Sequence, residues 1–201
     1  MAPRALTEQE KNLQKKKIAD EALRLLHQYG IKRISVDDVI QAAGVGKATF
    51  YRFFPSKEAL LMELTWNVYS DILTEAEQAI QSSPPEELRS RVGAFIQTYM
   101  RDQEKQFFFK NHRELEALVD ALGTVKSRDF SQMEYEAFRH LIQLAGLDME
   151  TVKPGVVHNY LHSIYFAVND SAMMPDDLDE TIAAMIEGLL SYMFDPKVTD
   201  S

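Results

Sequence analysis

Lys47, Thr49, Tyr51 and Arg52 bring an ammonium, a hydroxyl, a phenol and a guanidinium into one short stretch of chain. A lysine reaches the acceptors of guanine, and a threonine donates a hydrogen bond or sets its methyl against thymine. These are tools for reading the edges of base pairs. They work only if one side of the segment is held down and the other is free. Phe50 and Phe53, three residues apart, supply the buried side of a short helix over 47–53,. Lys47, Ala48, Thr49, Tyr51 and Arg52 are left on its exposed or edge side. A helix this short is not stable alone, so tertiary packing must hold it.

The residues just upstream provide that packing. Val36, Val39, Ile40 and Ala43 share one helical face, Ser35 and Asp38 have capping-box spacing, and Gly44 ends the helix,. Two short helices joined by Gly44-Val45-Gly46 form a helix-turn-helix, whose second helix lies in the DNA major groove. The charge agrees with this layout. Residues 1–60 carry 11 Lys and Arg against 7 Asp and Glu, a net of +4, while the remainder carries −13 of the total −9. Attraction to phosphates needs local positive charge, and a basic head on an acidic body provides it. Lys11, Lys15, Lys16 and Lys17 cluster in the first predicted helix, where they either face phosphates or form a solvated surface,.

The rest of the chain reads as helix throughout, so the fold class is all-α. Thr7 and Glu10 open a helix to Tyr29, with Leu13, Ile18, Ala22, Leu25 and Tyr29 at helical spacing,. Ser56 caps a long helix to Ile80 with Leu60, Leu64, Val68, Ile72, Ala76 and Ile80 on one stripe. Ser83, Pro84 and Glu86 signal a fresh start, and further helices are predicted over 85–109, 111–122, 127–145, 154–170 and 176–194,. This gives a three-helix head over residues 1–55 and a helical body over 56–201. The last two helices are apolar on more than one face and need burial on several sides. An intersubunit interface through Tyr160, Ile164, Val168, Ile182, Ile186, Leu189 and Met193 would provide it. A symmetric homodimer of this kind would present two reading helices to a palindromic site.

Several function classes drop out. The chain has no cysteine, which excludes disulfide scaffolds, thiolate metal sites and cysteine nucleophiles,. No phosphate loop, nucleophile elbow or paired-carboxylate motif supports an enzyme, and no cofactor is expected. No apolar run approaches the roughly 18 residues of a membrane span, and no secretory segment opens the chain, so a cytoplasmic protein is expected.

Within residues 7–65, Tyr29-Gly30-Ile31, Ile34-Ser35-Val36, Ala43-Gly44-Val45, Thr49 to Phe54 and Ser56 to Leu60 together resemble the TetR family of bacterial transcriptional regulators. The resemblance implies a dimeric DNA-binding repressor, released from a palindromic operator by a small-molecule effector. It places Lys47, Ala48 and Thr49 at the base-reading end of the third helix, with Arg52 on the same helix and Tyr51 bonding a phosphate. Ser35, Val36 and Lys57 would contact the DNA backbone. Asp37 fits poorly, because a carboxylate beside phosphates is repelled. In this family the effector acts from the body through the fourth helix.

Trp66, Tyr69, Phe95, Tyr99, Phe108, His112, Glu116, His162 and Tyr165 are the residues that could line an effector pocket with few polar groups,. His158 and His162 have the one-turn spacing of metal ligands, but Asn159 stands where a zincin motif has its glutamate,. No metal is expected from that pair alone. Two rival readings remain: a DNA-bound regulator controlled by a protein partner without a small ligand, and a helical carrier or enzyme.

Overall fold

The computed structural model describes residues 7–102, 105, 107, 117, 127–169 and 177–195, and every described element is helical. The helices are α1 (Glu8–Tyr29), α2 (Val36–Ala43), α3 (Lys47–Phe53), α4 (Lys57–Gln81), α5 (Leu88–Arg101), α6 (Ser127–Leu144), α7 (Pro154–Asn169) and α8 (Leu178–Phe194). Apart from residue 117, the predicted helix over 111–122 lies outside the described residues, as do Phe108, His112 and Glu116.

The chain divides into two compact units, and the division passes through α4 between Val68 and Tyr69. The boundary expected from the sequence stood before this helix, at residues 55 and 56.

In the first unit α1 packs on α2 and α3. Both capping boxes form: Thr7 with Glu10, and Ser35 with Asp38, each pair exchanging backbone and side-chain hydrogen bonds. Gly44 takes the left-handed conformation (φ 61°) that ends α2, where a side chain would be strained,. Ile18, Ala22, Leu25 and Leu26 form the inner face of α1, whereas Leu13 and Tyr29 are exposed although they keep helical spacing. On α2 only Val39 and Ala43 are fully buried; Val36 and Ile40 lie at the edge.

The buried positions of α4 are Leu60, Leu61 and Leu64, then, after a step of five residues, Tyr69, Ile72 and Ala76. A step of five breaks the single line that period 3.6 would draw, so Val68 and Ile80 are only half-buried. The Ser83 hydroxyl donates to the Ala79 carbonyl at 2.5 Å and closes α4, and residues 84–87 form a turn before α5. Ser83 therefore ends one helix and does not begin the next.

The second unit packs α8 against α5 and α7, and α6 against α7. Its core joins Ile96 and Met100 of α5, Ile142 of α6, Val157, Ile164 and Tyr165 of α7, and Ile186, Leu189 and Leu190 of α8. A Cβ at Gly93 would stand 2.8 Å from Leu190 Cδ1, so the missing side chain lets α5 and α8 approach closely,. Arg89 of α5 ties the same pair of helices together through Glu187 and Asp195.

Candidate nucleic-acid interface and interior cavity

Helix α3 is held at one side. The Phe50 side chain is fully buried, and Phe54, one residue past the end of α3, is 1% exposed. Their rings meet at 5.8 Å, and Lys15 Nζ stands 5.6 Å above the Phe54 ring while pairing with Glu63 at 2.8 Å. Phe53, the expected second anchor, is only half-buried; Phe54 takes that place. The spacing of four from Phe50 to Phe54 was visible in the sequence, but the helix ends at Phe53, and the extended Phe54 directs its ring inward.

On the other side Lys47, Ala48, Tyr51 and Arg52 are exposed and Thr49 is half-exposed. Tyr51 stacks edge-on against Phe50 at 5.3 Å, which orients its phenol from within the core,. Gly46 at the start of α3 brings no side chain that would compete for the first amides.

The flanking positions are less open. Ser35 is exposed, but its hydroxyl is engaged with Asp38 at 2.6 Å, and the capping hydrogen bonds hold the Asp38 carboxyl below its ordinary pKa. Val36 beside it is partly exposed. Lys57 donates to the Ile31 carbonyl at 2.7 Å, and partial burial lowers the pKa of its ammonium. Lys57 thus pins the start of α4 to the loop between α1 and α2. Of the α1 lysines, Lys11 pairs with Glu8 at 2.6 Å, Lys15 with Glu63 and Lys16 with Asp20 at 2.7 Å.

These arrangements coincide with known proteins. The family model described as "Bacterial regulatory proteins, tetR family" matches residues 18–64. The uncharacterized HTH-type transcriptional regulator YhgD of Bacillus subtilis is 24% identical over 90% of this chain and 83% of its own length. The HTH-type transcriptional regulator EthR of Mycolicibacterium smegmatis is 38% identical over 34% of this chain and 32% of its own. Among solved structures, a TetR family transcription regulator from Marinobacter aquaeolei superposes with a TM-score of 0.63 at 16% identity, covering 93% of this chain and 98% of that one.

This chain carries the DNA-binding region of the TetR family.

It is a DNA-binding transcriptional regulator and not an enzyme. The fatty acid degradation regulator FadR of Bacillus halodurans shares the fold, with a TM-score of 0.58 at 15% identity over 93% of this chain and 97% of that one.

The second unit contains a cavity of about 130 Å³. Tyr69, Phe95, Tyr99, His162 and Tyr165, all expected from the sequence, line it. Trp66 does not: it falls in the five-residue break of α4, belongs to the first unit, and is 39% exposed. The wall also takes Ile72, Leu73 and Ala76 from α4, Phe138 and Ile142 from α6, and Leu161 from α7, none of which carried a polar signal. Burial raises the pKa of the Tyr69, Tyr99 and Tyr165 phenols, the last to about 12, so all three stay neutral,. Phe95 stacks on Tyr99 at 6.4 Å with nearly parallel rings.

The residue missed by sequence reasoning is Glu134, only 7% exposed, in the wall beside His162. His158 Nε2 lies 3.2 Å from its Oε2, and that hydrogen bond raises the pKa of the imidazole. The residue comes from α6, 24 positions before His158, in a segment without a recognisable motif.

The proposed subunit interface divides in two. Ile164, Ile186 and Leu189 are fully buried in the core of their own chain, which corrects their assignment to an intersubunit face. Met193 lines the cavity, and Tyr160, Val168 and Ile182 are half-buried. Ile164, Ile186 and Leu189 turn inward, and the outer side of the pair is a groove lined by Val156, Asn159, Tyr160, Ser163, Thr181, Ala184 and Met185. Among the described residues no helix is long and apolar enough to cross a membrane.

Proposed function

We propose that this protein is a homodimeric repressor, released from a palindromic operator when a small apolar molecule enters the cavity of the second unit. The observation that carries ligand control is the cavity itself, lined mainly by apolar side chains from α4, α5, α6, α7 and α8. An interior cavity of about 150 Å³ lined by Leu, Ile and Phe takes up benzene, so the enclosed space here suits a benzene-sized or short alkyl group. Tyr69, Ile72 and Ala76 in that wall continue the helix that supplies Leu60, Leu61 and Leu64 to the first unit, and this supports α4 as the element that responds. The fatty acid degradation regulator with the same fold is in keeping with an apolar effector.

In this reading Lys47, Ala48 and Thr49 meet base edges, while Tyr51, Arg52, Ser35, Val36 and Lys57 meet the backbone. The dimer forms through the outer sides of α7 and α8, where Val156, Asn159, Tyr160 and Ser163 recur at helical spacing and small residues permit close approach,.

Selection of bound sequences from a random duplex pool, at a stated salt concentration, tests the proposal. It should return an inverted repeat, and the recovered DNA should be released by an apolar ligand that stabilises the protein. Lys47→Ala and Thr49→Ala should each cost about 1–3 kcal/mol on that site and relax preference at single positions, while Tyr51→Phe weakens all sequences alike. Recovery of no repeat, or unchanged preference in the variants, would overturn the assignments.

A further inference from the structure

We propose that Glu134, His158 and His162 form a binding site for a divalent transition-metal ion of the zinc class. Each residue offers one ligand atom, and these atoms all lie within 4.8 Å of one another. In a tetrahedral site with bonds of about 2.0–2.1 Å the ligand atoms stand about 3.3–3.4 Å apart. His158 Nε2 and Glu134 Oε2 already stand close to this spacing, at 3.2 Å. The two imidazoles lie one helical turn apart with ring centroids 4.2 Å from each other, so small side-chain rotations complete the set. Asn159 Oδ1 lies 3.5 Å from His158 Nδ1. An acceptor there keeps the proton on Nδ1 and turns the Nε2 lone pair toward the ion, as the outer hydrogen-bond partners of metal-bound histidines do.

The donor set selects the ion. Two imidazoles and one carboxylate suit Zn²⁺, Co²⁺, Ni²⁺ or Fe²⁺ and fit poorly with Mg²⁺ or Ca²⁺, which prefer oxygen. Three protein ligands leave one position for water or for a donor atom of another molecule. Glu134 and His162 both line the cavity, so that position is reached from within it. The His-x-x-x-His spacing here has Asn159 where a hydrolytic zinc site has its general base,. This is a site for holding an ion, without the group that would activate water. The exposed His140, paired with the half-buried Glu77 at 3.2 Å, is a second histidine–carboxylate pair, with no third ligand among the described residues, and serves as the control.

The test uses the full chain without an affinity tag, titrated with Co²⁺ and followed by its visible absorption, then displaced with Zn²⁺. One Co²⁺ per chain should bind and be displaced by Zn²⁺. Glu134→Gln and His162→Gln should each weaken binding by at least about tenfold, with circular dichroism confirming that both variants remain helical. His140→Gln should bind as the parent does. An absence of Co²⁺ bands in the parent, or equal binding by the parent and both ligand variants, overturns the site. The readout is independent of DNA binding, so failure of the operator reading leaves it unaffected.

Discussion

Lys47 Nζ lies 3.4 Å from Asp37 Oδ1, so the first residue of the reading helix shares its charge with the first turn of α2. Both side chains are well exposed, at 65% and 78%, and such a pair contributes little to folding,. Its effect falls on binding, because a lysine committed to a carboxylate must exchange partners to reach a base.

Asp37→Asn is therefore expected to raise DNA affinity by about two- to fivefold, corresponding to ~0.5–1 kcal/mol for a surface pair. Fluorescence anisotropy with a short duplex at two salt concentrations measures it. Weaker binding by the variant would mean that Asp37 positions Lys47 for the base and does not compete for it.

Ser35 and Asp38 cap the helix that supports the reading segment, and Ser35→Ala is expected to destabilise the protein by ~1 kcal/mol near neutral pH. The pH dependence has a definite sign. The Asp38 pKa is lowered in the folded state by its hydrogen bonds to Ser35, so its contribution is present above the unfolded-state pKa and is lost as pH falls through the folded value,. Glu10, capped by Thr7, behaves alike. Thermal melts of parent and variant should converge as the solution is made acidic below the usual carboxylate range. A gap that widens in acid would contradict the cap.

If the cavity is a receptor, filling it should silence the response and spare the DNA-binding surface. Ala76 lies in the wall and is buried. Benzene should raise the melting temperature of the parent by mass action and leave Ala76→Leu unchanged, while both bind DNA equally. Equal stabilisation of the two by benzene would place its site elsewhere.

Ala184 stands on the outer side of α8, in the groove beside Ser163. Placing a carboxylate there, as Ala184→Glu, should convert a dimer to a monomer in analytical ultracentrifugation with helicity preserved. A dimer that survives the change uses another face.

Local signals were the legible ones. Both capping boxes, the turn glycine and the start of α4 at Ser56 depend on residues three or four apart, and each formed as read. The exposed side of α3 was legible for the same reason. Long-range partners were not. Glu134 carries no motif, and only the packing of α6 on α7 brings it to His158. Trp66 shares the apolar character of its helix and failed as a wall residue because the buried stripe of α4 breaks between Leu64 and Tyr69. Ile164, Ile186 and Leu189 lie on helices apolar on more than one face, where composition shows that several faces are covered but not which neighbour covers each one.

The inward turn of Phe54 has a genetic consequence. Because α3 is seven residues long and lacks a side-chain cap, its aim derives from ring contacts made behind it. A screen for lost promoter occupancy should thus yield interior lesions at Phe50, Phe54 and Ala22 as readily as lesions at the groove-facing residues. Such mutants would be soluble and helical, yet blind to every sequence alike.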